Sequence, residues 1–236
     1  MVRSGAVLGP LSNDVGGGGE VPGPLSIDVG GRGGVQRFQN AAPSGDIGLI
    51  PFYRGTGTDD KGRTLEEILA WNDDRMEYVH DFIQWIFPTD EASKFNRHAP
   101  LLTADVVDVF LRDPEIRANL RRSFRRFLAF LGLEIRATAQ PMTVDKAKNF
   151  NRRVPTCWQA FGFMGNHNWL RISRVLHCLG MVQMEEEQQA FMACLELLFQ
   201  DGYPLDNAIL HWRDRARGCG ARRRKGNSST SICAVC

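Results

Sequence analysis

The sequence predicts an all-α protein in which a multi-helix bundle lies between a disordered glycine-rich N-terminal arm and a flexible basic C-terminal tail. Apolar residues recur at helical spacing through most of the middle of the chain. Residues that favour helix starts and helix ends flank these stretches, and no segment has the alternating pattern of a convincing strand. These observations place the arm at residues 1–45, the helical domain at 46–215 and the tail at 216–236.

The arm contains an imperfect tandem repeat, with one copy at residues 9–17 and a second at residues 23–31. Two copies are too few to bury the core of a solenoid. Glycine is abundant there and large side chains are rare, so ordering the backbone would cost more than burial returns. We therefore expect the arm to be disordered.

The first helices of the domain are marked by aromatic and capping residues. Phe52 and Tyr53 follow a proline and precede a turn, and we expect their rings to pack onto the bundle. Thr64, with Glu67 three residues later, forms the capping-box pattern that opens a helix.

The stretch His-Asp-Phe-Ile-Gln-Trp-Ile-Phe-Pro at residues 80–88 carries the strongest apolar signal in the chain. So many large apolar side chains in so few positions predict a helix at the centre of the bundle. An Asn-Asp-Asp cap at 72–74 precedes this helix, and Pro88 ends it because the residue before proline is disfavoured in helical geometry. We expect one continuous helix over about residues 74–87.

Two further helices follow a polar segment. Thr103 opens the first, and Asp113 with Pro114 opens the second, where the cap and the proline both favour a helix start. Gly132 closes the second helix. The residues expected to point inward are Val106, Val107, Phe110, Leu111, Ile116, Leu120, Phe124, Phe127, Leu128 and Leu131.

The second half of the domain is also expected to be helical. A shorter helix is predicted over 144–154, ended by Pro155, and longer ones over 169–180 and 185–199. A last short helix is predicted over 205–212. The apolar face of the 169–180 helix is formed by Leu170, Ile172, Val175, Leu176 and Leu179. One shared core is expected to contain Phe82, Trp85, Ile86, Phe124, Leu128, Leu176 and Phe191.

Composition excludes several classes of protein. A hydrophobic fraction of 43%, a charged fraction of 24% and a net charge of +2 are those of an ordinary globular protein, without a global field for nucleic acid or membrane. No apolar run reaches the about 20 residues that a membrane span needs, and the N-terminus has no extended apolar core for a secretory signal. Six cysteines, two of them on predicted apolar helix faces, fit a reduced intracellular compartment.

The sequence predicts neither an enzyme nor a cofactor or metal protein. It contains no Gly-x-Ser-x-Gly motif and no nucleotide-binding glycine loop. His80 with Glu77, Asp81 and the Asp73-Asp74 pair suggests a metal or acid–base site, but a capped helix start with a half-buried histidine is the simpler interpretation. His167 is likewise interpreted as a helix-start residue.

Four segments share their order and spacing with a known family. They are Phe52-Tyr53-Arg54-Gly55, the stretch 80–88, Leu101-Leu102-Thr103, and the Asn-Trp-Leu-Arg-Ile helix that begins at Asn168. Together they resemble the opioid growth factor receptor conserved domain, over roughly residues 52–212. The residues that carry the resemblance are Phe52, Tyr53, Arg54, Gly55, His80, Gln84, Trp85, Phe87, Pro88, Asn168, Leu170, Arg171 and Ile172.

This resemblance implies an all-α domain in a non-enzymatic, receptor-like protein of growth regulation and signalling. It implies as ligand a short opioid peptide, Tyr-Gly-Gly-Phe-Met, and a nuclear or perinuclear location. The resemblance does not say which residues bind the peptide. A peptide of this kind needs an apolar pocket with a few polar groups for its charged ends.

A run of arginines on the helix after Pro114 offers a different partner. Arg117, Arg121 and Arg125 repeat every four residues and form what we call the basic flank. The default interpretation is a solvated face on which arginine stems cover apolar surface. The alternative is an electropositive strip for nucleic acid or an acidic protein partner, although no interleaved aromatic residues are present for base stacking.

The tail carries two candidate targeting signals. Arg222, Arg223, Arg224 and Lys225 form a basic cluster that can serve as a nuclear localisation signal, or can support a lipid anchor at an anionic membrane. If Cys236 is the C-terminus, the last four residues have the form of a prenylation box, with the lipid on Cys233. A chance match and a zinc-ligand pair are the alternatives. A membrane surface is an expected partner only if Cys233 is prenylated.

Overall fold

The computed structural model describes residues 46–94, 96–136, 141–161 and 165–227, and it describes side chains from residue 48 to residue 217 of these ranges. All of the described residues belong to one compact unit. The glycine-rich arm at 1–45, with both repeat copies, lies outside the described residues, and so does Cys233. The predictions for them stay predictions.

Helices dominate the described part of the chain, as the sequence predicts. Four of them begin directly after capping residues predicted from the sequence, namely Thr64, Asn72, Thr103 and Asp113. In chain order the α-helices are α1 (Asp46–Tyr53), α2 (Leu65–Leu69), α3 (Asp73–Tyr78), α4 (Ile83–Ile86), α5 (Ala104–Arg112), α6 (Pro114–Leu131), α7 (Phe150–Arg153), α8 (His167–Met181), α9 (Glu185–Gln200) and α10 (Asp206–Asn227).

A small antiparallel hairpin interrupts the helices, so the expectation that no segment forms a strand is wrong. Strand β1 (Leu133–Arg136) pairs with β2 (Thr143–Lys146), with Leu133 opposite Lys146 and Arg136 opposite Thr143. Gly132 turns the chain out of α6 at a φ of 79° and into β1. Val144 is the buried residue of β2, between half-buried neighbours. Four-residue strands are too short for alternation to reveal them in the sequence.

The helix predicted over 144–154 is therefore limited to α7, and Pro155 does not end it. The chain continues into a π-helical turn over Val154–Trp158 that contains this proline. The turn is fixed to the end of α6 because Trp158 donates from Nε1 to the Leu131 carbonyl at 2.9 Å. Arg153 donates from Nε to the Phe130 carbonyl at 2.7 Å.

The continuous helix predicted over 74–87 is broken in two. Helix α3 ends before Val79, whose φ of −88° and ψ of 130° are extended, and α4 begins at Ile83. The carbonyls left open at the break are bound by a side chain from α8. Arg171 donates to the Met76 carbonyl at 2.9 Å and to the Val79 carbonyl at 3.0 Å. A distant arginine thus replaces the helical amides.

The central helix α6 follows its sequence signals closely. The Asp113 carboxylate accepts hydrogen bonds from the backbone amides of Glu115 at 2.9 Å and Ile116 at 3.2 Å, and Pro114 is the first helical residue. Every residue of its predicted apolar stripe is buried. In the helix before it, Val106 and Phe110 are buried, whereas Val107 and Leu111 are only half-buried.

The predicted core is confirmed, because all seven side chains named for it are buried. Phe52 and Tyr53 lie on α1, a helix that the sequence analysis did not predict. The Tyr53 hydroxyl donates to the Ile86 carbonyl, and the Phe52 and Trp85 ring centroids are 5.3 Å apart. The two aromatic residues therefore fix α1 against α4, as expected of them.

The C-terminal helix is longer than predicted. Helix α10 continues past Trp212 to Asn227, so the backbone of the basic cluster at 222–225 lies on it. Trp212 donates from Nε1 to the Trp169 carbonyl at 3.2 Å and so fixes α10 against α8. Among the described residues, none of the helices has the length and apolar character to cross a membrane.

Candidate ligand pocket

A cavity of about 270 Å³ lies between α4, the segment that follows Pro88, and one face of α8. Helix α4 contributes Ile83 and Gln84, and α10 contributes Arg215. The α8 side chains that line the cavity are His167, Leu170, Arg171, Ser173, Arg174 and His177. Their spacing of three and four residues places them on one side of the helix.

Helix α8 therefore has two different faces. Ile172, Val175 and Leu179 are fully buried, as predicted. Leu170, which was predicted to be part of that apolar face, is 61% exposed and instead lines the cavity. The placement of Leu170 on that face was wrong because residues 170 and 172 lie about 200° apart around a helix and cannot share one face.

Arg171 forms the buried part of the cavity wall. Its guanidinium donates hydrogen bonds to the carbonyls of the α3–α4 break and to Asn168 Oδ1, the last at 3.1 Å. It also lies over the Phe82 ring, 5.5 Å from the centroid. Burial lowers the pKa of Arg171 to about 10, which still leaves it charged at neutral pH.

Arg174 lies one turn further along α8 and is also largely buried. It donates from Nη1 to the Phe87 carbonyl at 3.4 Å and to Thr89 Oγ1 at 3.1 Å. Burial is the main reason that its pKa is lowered. Neither Arg171 nor Arg174 forms an ion pair with a carboxylate among the described residues. Buried cations are normally paired, so this wall of the cavity has excess positive charge.

Gln84, a lining residue of the cavity, has an unpartnered polar atom. Its side chain is buried, with only 4% of the residue exposed. Nε2 donates to Ser93 Oγ at 3.2 Å, whereas Oε1 has no hydrogen-bond partner in the described part of the chain. A buried acceptor without a donor is uncommon in native proteins.

Two histidines lie at one end of the cavity. The ring centroids of His80 and His167 are 5.3 Å apart, and His167 Nε2 is 2.8 Å from Glu77 Oε1. Burial lowers the pKa of His167, and the Glu77 carboxylate opposes that shift. The structure thus brings Glu77 and His80 of the suggested metal or acid–base site near His167. Asp81 does not join them but pairs with Arg63 at 2.9 Å.

A second polar cluster lies at the α10 side and was not predicted. The buried His177 is 3.0 Å from Asp90 Oδ1 through Nε2, and its Nδ1 contacts the Arg215 guanidinium. A guanidinium only donates hydrogen bonds, so Nδ1 accepts and Nε2–H donates to Asp90. Arg215 also donates with both terminal nitrogens to the Glu91 carboxylate and lowers the pKa of Glu91.

Asp90, Glu91 and His177 lie close enough together to hold a metal ion, with ligand atoms within 4.8 Å of one another. The Arg215 guanidinium, however, already contacts both the Glu91 carboxylate and His177 Nδ1. Its charge opposes a second cation at that position. The arrangement is that of an ion-pair network that joins the pocket to α10.

Nucleophilic chemistry has little support from the buried thiols. Burial raises the pKa of Cys157 and of Cys194 to about 12, so both stay protonated at neutral pH. Cys178 is also buried. Cys178 and Cys194 are the two cysteines predicted on apolar helix faces, and their burial there fits small apolar side chains.

The residues that carry the family resemblance divide into two groups. His80, Gln84, Leu170 and Arg171 line the cavity. The remaining ones shape the fold around it. The core contains Phe52, Tyr53, Trp85, Phe87 and Ile172, and Pro88 is buried after α4. Asn168 donates to the Glu77 carboxylate, and Arg54 pairs with Asp113 at 2.7 Å. Gly55 turns the chain at a φ of 71°.

Two arginines of the basic flank bind other parts of the same chain. Arg117 donates to the Val182 carbonyl at 3.0 Å, and Arg121 pairs with Glu187 of α9 at 2.8 Å. Arg125 is exposed. Two of the three arginines thus fix α6 to the α8–α9 region, a role that spacing along one helix does not reveal. The strip for nucleic acid or an acidic partner stays a prediction.

The fold and the pocket define the class of protein: a helical domain with a small, cation-lined cavity between its helices. The family follows from comparison with known proteins. Residues 48–204 match the model of the opioid growth factor receptor (OGFr) conserved region, and the chain belongs to this family. The matched segment contains the whole cavity lining except Arg215.

Named relatives agree with the family assignment. The opioid growth factor receptor of Homo sapiens is 37% identical over 152 residues, which are 61% of this chain and 21% of the relative. That of Rattus norvegicus is 34% identical over 167 residues, 65% of this chain and 27% of the relative. The opioid growth factor receptor-like protein 1 of Xenopus tropicalis is 33% identical over 129 residues, 52% of this chain and 23% of the relative.

The chain thus spans about a quarter of the length of these relatives. No solved structure matches it.

Proposed function

We propose that this protein is a non-enzymatic, receptor-like binding protein that takes a short opioid-like peptide into the cavity between α4 and α8. One observation carries the proposal. The two most specific family segments, 80–88 and the start of α8, are distant in sequence, yet His80, Gln84, Leu170 and Arg171 meet at the same cavity. The relatives are named as receptors for an opioid growth factor, which supports the choice of ligand.

The size of the cavity limits what can enter it. Pockets that enclose a whole small ligand have volumes of roughly 300–1,000 Å³. A cavity of about 270 Å³ accepts one residue of a pentapeptide and part of the next. The rest of the peptide would lie on the surface, where Leu170 offers an exposed apolar contact.

The chemistry of the cavity suits a peptide with apolar side chains and charged ends. Ile83 and Leu170 provide apolar surface, and Gln84 provides a hydrogen-bond acceptor. Arg174 provides a positive charge that lacks a carboxylate partner among the described residues. Such a mixture of apolar walls and few polar groups is typical of small-ligand sites.

The proposal includes a place in the cell. We infer a nuclear or perinuclear role in signalling and growth regulation, supported by the family and by the basic cluster at 222–225. Attachment to a membrane surface through a prenyl group on Cys233 is the alternative location. The intact mass of the protein made in a eukaryotic host tests this alternative, because a prenyl group adds to the mass and Cys233→Ser removes the addition.

Calorimetric titration of the full chain with Tyr-Gly-Gly-Phe-Met tests the peptide proposal. We expect saturable heat, and at least tenfold weaker binding by Leu170→Glu, which adds a negative charge at the cavity. Leu197→Glu is the matched control, since Leu197 is similarly exposed at 56%, on α9 and outside the cavity lining. Absence of saturable heat with the unmodified chain would withdraw the peptide proposal and leave the family and the fold.

A further inference from the structure

The charges around the cavity are unbalanced. Four of its lining residues are permanently cationic, namely Lys94, Arg171, Arg174 and Arg215, and one, Glu91, is a carboxylate. Arg215 already neutralises Glu91. Three lining cations remain, two of them largely buried guanidinium groups of α8, against two carboxylates just outside the lining, Glu77 beside His167 and Asp90 beside His177. The balance is still positive, by about one charge. Because a charge removed from water is stabilised by an opposite charge, the ligand group expected beside them is an anion.

Gln84 adds a second and independent requirement. Gln84 is a lining residue, and its buried Oε1 has no donor among the described residues. A carboxylate cannot satisfy this atom, since both are acceptors. The ligand must also bring a hydrogen-bond donor to the α4 wall while its anionic group lies at the α8 wall.

The last residue of a peptide combines these two groups. Its carboxylate is an anion, and its backbone N–H is a donor only one carbon further along. We propose that the cavity recognises the free C-terminal residue of its peptide, with the carboxylate bound at the α8 arginines and the N–H donated to Gln84 Oε1. This inference rests on the proposed peptide-binding function and adds to it which end of the peptide is bound.

The side chain of that last residue would contact Ile83 and Leu170, the apolar part of the lining. A volume of about 270 Å³ admits an apolar side chain together with the carboxylate. The N-terminal end of the peptide would remain outside and contribute little. Binding should therefore depend on the C-terminal carboxylate and hardly at all on the N-terminal ammonium group.

Three forms of one peptide test the inference on the full chain by calorimetry. They are Tyr-Gly-Gly-Phe-Met with a free carboxylate, the same peptide as the C-terminal amide, and the N-acetylated peptide with a free carboxylate. We expect the amide to bind at least tenfold more weakly than the free acid. We expect the N-acetylated acid to bind within about threefold of the free acid, since only the outer end has changed.

Two variants identify the protein groups. Arg174→Gln should reduce the difference in affinity between the acid and the amide, because it removes one of the two α8 arginines, whereas Arg125→Gln, an exposed change on α6, should keep the full difference. Gln84→Leu should weaken both forms of the peptide by a similar factor, because it removes an acceptor that has no donor in the free protein. The change also removes the hydrogen bond from Nε2 to Ser93, so its affinity is compared at a temperature at which the variant is fully folded. A melting curve for each variant separates lost binding from lost folding.

The outcomes distinguish this inference from the proposed function. Equal affinity for the acid and the amide overturns the inference and leaves the opioid-peptide proposal intact. If the opioid peptide does not bind but N-acetyl-Phe-Met acid binds and its amide does not, the inference stands and the opioid ligand is wrong. If inorganic phosphate binds and no peptide acid does, the cavity is a simple anion site and the inference fails, as it also does if nothing binds.

Discussion

The Arg171 guanidinium donates to the backbone carbonyl of Val79, 92 residues earlier in the chain, at 3.0 Å. This bond, with the one to Met76 at 2.9 Å, holds the chain in the extended conformation that separates α3 from α4. The break places His80 and Gln84 at the cavity. One arginine therefore shapes the pocket from a distance while it lines part of the wall itself.

Replacing Arg171 should destabilise the fold strongly. Arg171→Met retains much of the side-chain bulk but leaves the Met76 and Val79 carbonyls without their charged donor. Hydrogen bonds to charged groups contribute about 1.5–3 kcal/mol each, so we expect a loss of about 3 kcal/mol or more in the free energy of unfolding. Urea denaturation measures it. Arg125→Met on the exposed face of α6 is the control and should change stability by no more than about 0.5 kcal/mol.

Truncation of Trp85 tests the centre of the core. The residue is 5% exposed, packs against Phe52, and donates from Nε1 to Asp60 at 2.8 Å. Trp85→Ala should lower the free energy of unfolding by about 3–5 kcal/mol, because it removes a large buried side chain and leaves a cavity. Leu197→Ala, at an exposed position, is the comparison. Near-normal thermal stability of the Trp85 variant would place α4 outside the core.

Alanine substitutions at two glycines with positive φ distinguish the energetic cost of backbone strain from the cost of a steric clash. At Gly55, with a φ of 71°, an added Cβ would meet no atom within 4 Å, whereas at Gly132, with a φ of 79°, it would lie 2.8 Å from Phe150 Cα. Alanine at either position carries left-handed strain of about 1–2 kcal/mol. Gly132→Ala also forces α7 away from α6, which should add about 1–3 kcal/mol. Equal losses of unfolding free energy would contradict the close approach of these helices.

The ion pair of Glu91 and Arg215 should make stability depend on acid pH. Hydrogen bonds from Arg215 hold the pKa of Glu91 below its ordinary value of 4.5, so the unfolded chain binds this proton more readily than the folded chain. The stabilisation is present above about pH 4.5 and is lost as the pH falls through the folded-state pKa.

Glu91→Gln should therefore flatten the fall in stability between about pH 5 and pH 3, measured by urea denaturation at each pH. Arg215→Gln should flatten it by a similar amount. In the double variant the two effects should not add, since both changes remove the same pair. An unchanged pH profile in Glu91→Gln would show that the pair does not form in solution.

Nuclear enrichment should depend on the basic cluster at 222–225. Replacing Arg222, Arg223, Arg224 and Lys225 by glutamine in a fluorescent fusion of the full chain should abolish the enrichment, because import receptors bind such clusters through their charge. Replacing the exposed Arg112 and Arg125 tests whether any loss of charge has the same effect. A distribution that does not change in the cluster variant would refute the signal.

Local signals predict the helices well where both ends carry their own caps. Asp113, Pro114 and Gly132 act on the backbone within a few residues, so α6 could be placed from sequence alone. The α3–α4 break could not, because its stabilising partner Arg171 lies on another helix. The hairpin was not predicted because its strands are only four residues long and gain their stability from packing against α6 and α9.

The pocket, like the fold, could be predicted from the sequence only in part. The resemblance named His80, Gln84, Leu170 and Arg171, but only the fold shows that they meet. His177 gave one usable signal, a histidine on the face of a helix otherwise rich in apolar residues, which would need a polar partner if buried. Its partners Asp90 and Arg215 lie in segments that no local pattern connects with α8.

The Arg215 contact with Glu91 couples two parts of the molecule thermodynamically. Arg215 lies on α10, outside the segment matched by the family, and α10 also carries the basic cluster. A partner that binds the far end of this helix and draws it away would leave the Glu91 carboxylate uncompensated beside the cavity. A ligand that binds the cavity better when Arg215 neutralises Glu91 also stabilises α10 in its present position. By linkage, the cavity ligand and the partner of α10 weaken each other's binding by the same factor.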